Sequence, residues 1–186
     1  MGFNLHGKNP VNPTGIDEPQ IDWDRNITDE EWKEYSKEMN AYEKAVPGSS
    51  FHRNVWHWRP IWTYVAETCN NILTHKDITM GQFNDGHFIN KNKSKRIAKR
   101  LQKLIDEGHS TVWESEHTKE REDAEEIPCR ICKGKGVRND SVIKGKCNVC
   151  EGKGTEKPFW VWYPFYVENL QEFTNFCRDS GGFNIC

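Results

Sequence analysis

The chain has 186 residues, of which 29% are charged and 35% hydrophobic, and its formal net charge is -2 at pH 7. This length suits one compact domain with room for a small insertion. The near-neutral charge argues against a uniformly cationic nucleic-acid binder, although it leaves local basic patches open. The eight Trp, nine Phe and five Tyr are expected to supply core volume that aliphatic residues do not.

The sequence shows no signal that would direct the chain to a membrane or out of the cell. It contains no run of about eighteen apolar residues, and residues 1–6 lack the apolar stretch of a signal peptide. The chain has seven cysteines, an odd number that favours a reducing compartment. We therefore expect a cytoplasmic protein.

The amino-terminal third of the chain predicts an arm followed by a helix. Residues 1–27 are rich in Asn, Gly and Pro, which is typical of an arm. Thr28 and Glu31 have the spacing of a capping box, in which each side chain accepts from the other residue's backbone N–H. A helix over residues 29–45 is therefore predicted.

The middle of the chain combines aromatic and turn-forming residues. Val55–Trp58 alternates as a strand would, and Pro60 suits the first turn of a helix over residues 60–75. A turn is predicted within residues 80–88, where Asn-Asp-Gly lies between aromatic residues.

A third predicted helix has a basic surface. Asn92 or Ser94 is expected to cap it, and Gly108 to end it after Glu107. The residues that would contact phosphate groups are Lys95, Arg96, Lys99, Arg100 and Lys103. Aromatic residues that would stack on bases are Trp56, Trp58, Trp62, Trp160 and Trp162. These two sets together support nucleic-acid binding as an alternative function.

The carboxyl-terminal third predicts two helices around a cysteine-rich segment. Residues 112–126 are highly charged and predict a helix that Pro128 ends. Residues 159–165 are aromatic and are predicted to be extended. Residues 167–179 carry apolar residues at helical spacing and predict the last helix, with glycines just beyond its end.

One sequence pattern, C-x-x-C-x-G-x-G, occurs twice in the cysteine-rich segment. The first copy comprises Cys129, Cys132, Gly134 and Gly136, and the second comprises Cys147, Cys150, Gly152 and Gly154. Two such pairs complete the four-sulfur shell that Zn²⁺ prefers in closed structural sites. The glycines allow the positive φ of a tight bend, and Asn139-Asp140 suits a turn between two hairpin arms.

These two copies resemble the cysteine-rich zinc domain of DnaJ-type co-chaperones. That domain carries four copies of the pattern and binds two zinc ions, so the resemblance implies one structural Zn²⁺ here. It covers only Cys129–Gly154. The chain has no His-Pro-Asp tripeptide, the J-domain signature through which those co-chaperones stimulate their Hsp70 partner.

The whole chain also resembles a family of uncharacterised bacterial and phage proteins, a likeness that includes the two cysteine words. The other matching segments are Gly7-Lys8-Asn9-Pro10, Trp56-x-Trp58-Arg59-Pro60-x-Trp62, Phe83-Asn84-Asp85-Gly86, Tyr163-Pro164-Phe165-x-Val167-Glu168-Asn169 and Gly181-Gly182-Phe183-x-Ile185-Cys186. The resemblance implies one continuous fold and a phage origin, which would place the protein in the host cytoplasm. Residues 22–45 are additional to that family's pattern.

The predicted fold is mainly α, a small α+β protein in which a compact helical domain carries an inserted zinc-binding β-hairpin. The arm comprises residues 1–27, the helical and aromatic core domain comprises residues 28–126 and 159–186, and the hairpin comprises residues 127–158.

The predicted function is that of a non-enzymatic, zinc-stabilised binding protein that engages a host protein or a small signalling ligand. Polar groups among aromatic residues are the expected contact points. They are Trp56, His57, Trp58, Arg59, Asn84, Asp85 and His87. A second alternative is a small enzyme that uses His57, Asp85 and His87, because a histidine beside a carboxylate suits acid–base catalysis.

Overall fold

The computed structural model describes residues 2–186, and the chain divides into two compact units. One unit comprises Met1–Val112 with Phe165–Cys186, and the other comprises Trp113–Pro164. We call them the α+β unit and the cysteine unit. The insertion predicted at residues 127–158 lies within the cysteine unit. Met1, the first residue of the predicted arm, lies outside the described residues.

Six helices and eight strands form within residues 2–186. The helices are α1 (Asp29–Ala45), α2 (Val55–Thr68), α3 (His75–Met80), α4 (Lys91–Asp106), α5 (His109–Asp123) and α6 (Val167–Asp179). The strands are β1 (Gly2–Gly7), β2 (Ser50–Asn54), β3 (His87–Asn90), β4 (Ile127–Pro128), β5 (Val137–Asn139), β6 (Lys144–Lys146), β7 (Thr155–Glu156) and β8 (Gly182–Ile185). None of these helices has the length and apolar character needed to cross a membrane.

The α+β unit contains a four-stranded antiparallel sheet in the order β2-β1-β8-β3. Helix accounts for 46% of the chain and strand for 16%, so the fold is α+β, and the prediction of a mainly α protein gave the sheet too little weight. The first residues of the predicted arm form β1, an interior strand. The arm prediction followed the Asn, Gly and Pro content, whereas β1 depends on pairing with distant strands.

One face of this sheet supplies half of the core. Leu5 lies opposite both Phe51 and Ile185, and Phe183 lies opposite Ile89. All five side chains are buried. Residues that lie directly opposite one another in an antiparallel pair share a face, so these side chains point together towards the helices that cover the sheet.

Phe173 of α6 lies at the centre of the aromatic core. Its ring centroid is 5.4 Å from that of Phe51, 5.4 Å from that of Trp58 and 6.0 Å from that of Phe183. Edge-on and tilted contacts at such distances stabilise aromatic pairs beyond the area they bury. The aromatic residues therefore supply the core volume, as the composition predicted.

The first and last predicted helices agree with α1 and α6, and α1 begins at the predicted capping box of Thr28 and Glu31. The strand predicted at Val55–Trp58 is wrong, because α2 begins at Val55. The Asn54 side chain accepts a hydrogen bond of 3.0 Å from the backbone N–H of His57 and caps this helix.

The basic helix also begins earlier than predicted. Asn90 caps α4 by accepting from the backbone N–H of Lys93 at 3.0 Å, whereas Asn92 and Ser94 lie within the helix. Ser94 is buried, and its hydroxyl donates to the Cys177 carbonyl at 2.6 Å. The residue that looked like a cap therefore ties α4 to α6.

We expect Phe173→Ala to lower the free energy of unfolding of the α+β unit by about 3–5 kcal/mol, because it leaves a cavity among four aromatic rings. Urea denaturation followed by circular dichroism measures this loss. Phe88→Ala is the matched control, because Phe88 is 49% exposed, and its cost should stay below about 1 kcal/mol. Equal losses in the two variants would contradict the central role of Phe173.

Candidate functional site

The two cysteine words adopt the same local conformation. Lys133 and Glu151, which follow the second cysteine of each word, have φ angles of 52° and 50°. Each bend is closed by a glycine N–H that donates to the carbonyl of the first cysteine, at 3.3 Å for Gly134 and 3.1 Å for Gly152. Repetition in the sequence is therefore repetition in the structure.

The last glycine of each word lies where no side chain fits. A Cβ atom at Gly136 would lie 2.5 Å from the Gly152 carbonyl oxygen, and one at Gly154 would lie 2.5 Å from the Gly134 carbonyl oxygen. The Cys129 N–H donates to the Gly154 carbonyl at 2.8 Å, and the Cys147 N–H donates to the Gly136 carbonyl at 2.9 Å. These reciprocal contacts hold the two words against each other.

The four sulfurs converge on one point. The Sγ atoms of Cys129, Cys132, Cys147 and Cys150 all lie within 4.8 Å of one another, and all four residues are buried. The Cys132 and Cys150 sulfurs are 3.7 Å apart. A tetrahedral metal–thiolate site with bonds of about 2.3 Å requires sulfur separations of about 3.8 Å. The residues present therefore fit a metal ion.

Backbone donors point at two of these sulfurs. The N–H of Gly136 donates to Cys132 Sγ at 3.2 Å, and the N–H of Gly154 donates to Cys150 Sγ at 3.3 Å. Burial opposes ionisation of Cys150, but the Gly154 N–H and the neighbouring thiols outweigh it and lower its pKa to about 7. Such donors stabilise the thiolate form that binds metal.

Cys129 shows the opposite shift within the same cluster. The Cys132 N–H favours its thiolate, but burial and the thiols of Cys132 and Cys150 outweigh this contribution, and its pKa is raised to about 11. Without a cation, four adjacent sulfurs cannot all carry negative charge. The cluster therefore favours a positive ion at its centre.

A hairpin joins the two words, as the sequence predicted. Strands β5 and β6 pair antiparallel, with Val137 opposite Lys146. The Asp140 carboxylate accepts from the N–H groups of Val142 and Ile143 at the tip, at 2.9 and 2.8 Å. A second short pair, β4 with β7, closes the other end of the segment.

The predicted partner-binding residues do not form one surface. Trp58 is fully buried and its indole N–H donates to the Gly81 carbonyl at 2.8 Å, so it cannot contact a partner. Its stacking on Trp62, which is also buried, removes both rings from any base-stacking platform. Trp56 and Arg59 are exposed on the same helix.

The predicted catalytic histidines have different neighbours. The His57 ring packs edge-on against Tyr166, with 5.7 Å between centroids. Asp85 is an exposed residue of the loop that also contains Asn84. The carboxylate beside His87 is that of Asp77, whose Oδ1 lies 3.0 Å from His87 Nε2.

Sequence reasoning missed Asp77, although Thr74 and Asp77 have capping-box spacing. The buried Asp77 carboxylate also accepts from the Thr74 N–H and hydroxyl, each at 2.7 Å, and from Lys93 Nζ at 2.5 Å. Burial alone would raise the pKa of Asp77, but Lys93, Thr74 and His87 together hold it well below its ordinary value. The carboxylate therefore joins α3, β3 and α4.

The basic residues of α4 divide into two groups. Arg96 and Arg100 donate to the carbonyls of Asn71 and Thr68 after α2. The remaining three line a groove that also contains acidic residues. They are Lys95, Lys99 and Lys103. Because Asp106, Glu107 and Asp179 line the same groove, its charge is mixed rather than positive throughout.

Comparisons of this chain with family models, curated proteins and solved structures find no match.

We expect Asp77→Asn to lower the free energy of unfolding by about 1–3 kcal/mol near neutral pH, because it breaks hydrogen bonds to a charged group. The folded pKa of Asp77 lies below the ordinary value of 3.8, so its stabilisation is present above that value and is lost as the pH falls. Urea denaturation at about pH 7 and about pH 3 measures the difference.

Asp85→Asn is the matched control for this measurement, because Asp85 is exposed in the neighbouring loop. It should change the stability by less than about 0.5 kcal/mol at either pH. A loss in Asp77→Asn that does not shrink on acidification would show that its cause is not the carboxylate charge.

Proposed function

We propose that this chain is a non-enzymatic binding protein whose cysteine unit is held together by one structural Zn²⁺. The ligands would be Cys129, Cys132, Cys147 and Cys150, which are buried together. Four thiolates leave zinc no open position for water or substrate, which is typical of structural rather than catalytic sites. Soft thiolate ligands also disfavour calcium and magnesium, which prefer oxygen.

The cysteine unit has almost no hydrophobic core of its own. In residues 113–164, all of which the structure describes, the only buried side chains are those of the four cysteines and Val161. A segment that buries so little apolar surface cannot offset its conformational entropy. Metal binding would supply that folding energy, because the thiolates form a site only when the chain is assembled.

The observation that carries the proposed binding role is the apolar surface of the same unit. Eight of its large apolar side chains are at least 43% exposed. They are Ile127, Ile131, Val137, Val142, Val149, Phe159, Trp160 and Trp162. Exposed apolar residues in such density are typical of protein-interaction surfaces, to which tryptophan contributes strongly.

The charge of this segment indicates the kind of partner. Residues 127–157 carry eight Lys or Arg residues and three Asp or Glu residues. A partner surface that is apolar and acidic would complement it. Within each cysteine word the same position is apolar and 43% exposed, occupied by Ile131 in one and Val149 in the other. With the resemblance to phage proteins, this surface favours a host protein as the partner.

We expect purified protein to contain one zinc per chain, and Cys129→Ser to lose it and unfold the cysteine unit. Elemental analysis measures the zinc, and limited proteolysis with mass spectrometry locates the cleavage sites. Cleavage should rise at least tenfold within residues 113–164, because a lost zinc site removes most of that unit's stability.

Cys186→Ser is the matched control, because Cys186 is a partly exposed cysteine outside the cluster. It should keep its zinc and its protease resistance. If Cys129→Ser lost the metal but resisted protease as wild type does, zinc would have no structural role.

We expect the triple substitution Ile131→Ser, Val137→Ser and Val149→Ser to abolish stoichiometric retention of a partner from host lysate while zinc content stays unchanged. The apolar side chains would supply most of the contact energy. Native mass spectrometry of gently purified complexes measures the retained mass.

The matched control replaces three charged residues of the same segment, Lys135, Lys144 and Lys153, by Ser. It should weaken the complex at most about tenfold, because exposed charges contribute mainly to association rate. A partner retained equally by the apolar variant and by wild type would contradict the proposed surface, and so would the absence of any partner on the zinc-loaded wild-type protein.

A further inference from the structure

A small cavity lies on the outer side of the sheet in the α+β unit, where α1 meets the ends of β1 and β2. Its volume is about 170 Å³. Its polar and aromatic lining residues are His6, Glu18, Tyr35, Tyr42, Glu43 and Ser49. Pro10 and Met39 complete the wall. The cavity lies wholly within one unit and is independent of the cysteine cluster and of the proposed role of that cluster.

Ser49 carries a buried hydroxyl without a partner. Its side chain lines the cavity, the residue is only 8% exposed, and among residues 2–186 nothing lies within hydrogen-bond distance of its Oγ. Its backbone is satisfied, because its N–H donates to the Val46 carbonyl at 3.2 Å and its carbonyl accepts from the Gly7 N–H at 2.8 Å. Buried polar side chains are normally paired, so this hydroxyl indicates a missing partner.

The cavity wall is rich in acceptors and contains no lysine or arginine. It includes the carboxylates of Glu18 and Glu43, and Glu43 Oε1 lies 3.2 Å from His52 Nε2. Burial and the neighbouring His52 lower the pKa of His6, so its ring is neutral near pH 7. A neutral imidazole presents one acceptor nitrogen.

The two tyrosines keep the wall partly apolar. Burial is the main cause that raises the pKa of both Tyr35 and Tyr42, so their phenols stay neutral. Aromatic faces attract cations, and the Met39 side chain and Pro10 ring offer apolar contact to an alkyl chain. The wall therefore combines negative charge with surfaces suited to methylene groups.

We propose that this cavity binds a primary alkylammonium group, with its charge between Glu18 and Glu43 and one N–H donated to Ser49 Oγ. The cavity would hold about five or six non-hydrogen atoms, taking about 30 Å³ for each water-sized group. An ammonium on a four-carbon chain has this size. Its three N–H donors match the two carboxylates and the orphan hydroxyl.

Two sources supply such a group, namely a free aliphatic amine and the lysine side chain of a protein. The test therefore uses two probes, butylamine and N-acetyl-lysine methylamide, on the full-length zinc-loaded protein. Calorimetry and ligand-observed nuclear magnetic resonance at low salt measure binding. Butanol, which has the same length and no charge, is the control probe.

We expect saturable binding of one butylamine per chain and no saturable binding of butanol. Glu18→Gln and Glu43→Gln should each weaken binding about tenfold, and Ser49→Ala about fivefold, because each removes an acceptor for the ammonium. Binding of the lysine probe as well would identify a protein side chain as a fitting source. Binding of butylamine alone would identify a free amine.

Two matched variants keep this test specific. Ser110→Ala removes the other buried hydroxyl that lacks a partner, and Glu38→Gln removes an exposed carboxylate of α1 that does not line the cavity. Both should bind butylamine as wild type does. The proposal is overturned if neither amine binds saturably, or if the cavity variants and these controls lose affinity equally.

Discussion

The convergence of four cysteine sulfurs is the constraint on which the cysteine unit depends. The sulfurs lie within 4.8 Å of one another, and Val161 is the only other side chain buried among residues 113–164. Negative sulfurs at that distance repel each other unless a cation lies between them. The glycines, the reciprocal hydrogen bonds between the two words and the short strand pairs all serve to bring the sulfurs together. The apolar residues of the unit are thereby left on its surface, where another molecule can reach them.

The α+β unit is stabilised by a different principle. Its two chain termini meet in the sheet, since Asn4 and Cys186 exchange backbone hydrogen bonds of 2.7 and 2.8 Å. Aromatic rings around Phe173 fill the space between this sheet and its helices. Because β1 and β8 close the unit, its stability depends on contacts between residues far apart in the sequence. The charged network at Asp77 serves the same end, since it joins three elements through one carboxylate.

The proposed functions follow from what each unit leaves unsatisfied. The cysteine unit exposes apolar side chains beside an excess of positive charge. The α+β unit leaves one buried hydroxyl, that of Ser49, facing a cavity with two carboxylates in its wall. Unpaired polar groups and exposed apolar groups each cost free energy in the isolated protein. A bound partner or ligand would offset that cost, which gives both surfaces a physical reason to bind.

The sequence by itself determined the features that arise within a few residues of one another. The repeated cysteine words predicted the cluster and the hairpin, the capping box at Thr28 predicted the start of α1, and the apolar spacing predicted α6. Only the tertiary structure decided the features that depend on distant residues. It made residues 2–7 an interior strand, buried Trp58, and gave His87 the carboxylate of Asp77 rather than that of Asp85. Ligand spacing and helix caps are local, whereas strand pairing and burial depend on what the rest of the chain places opposite.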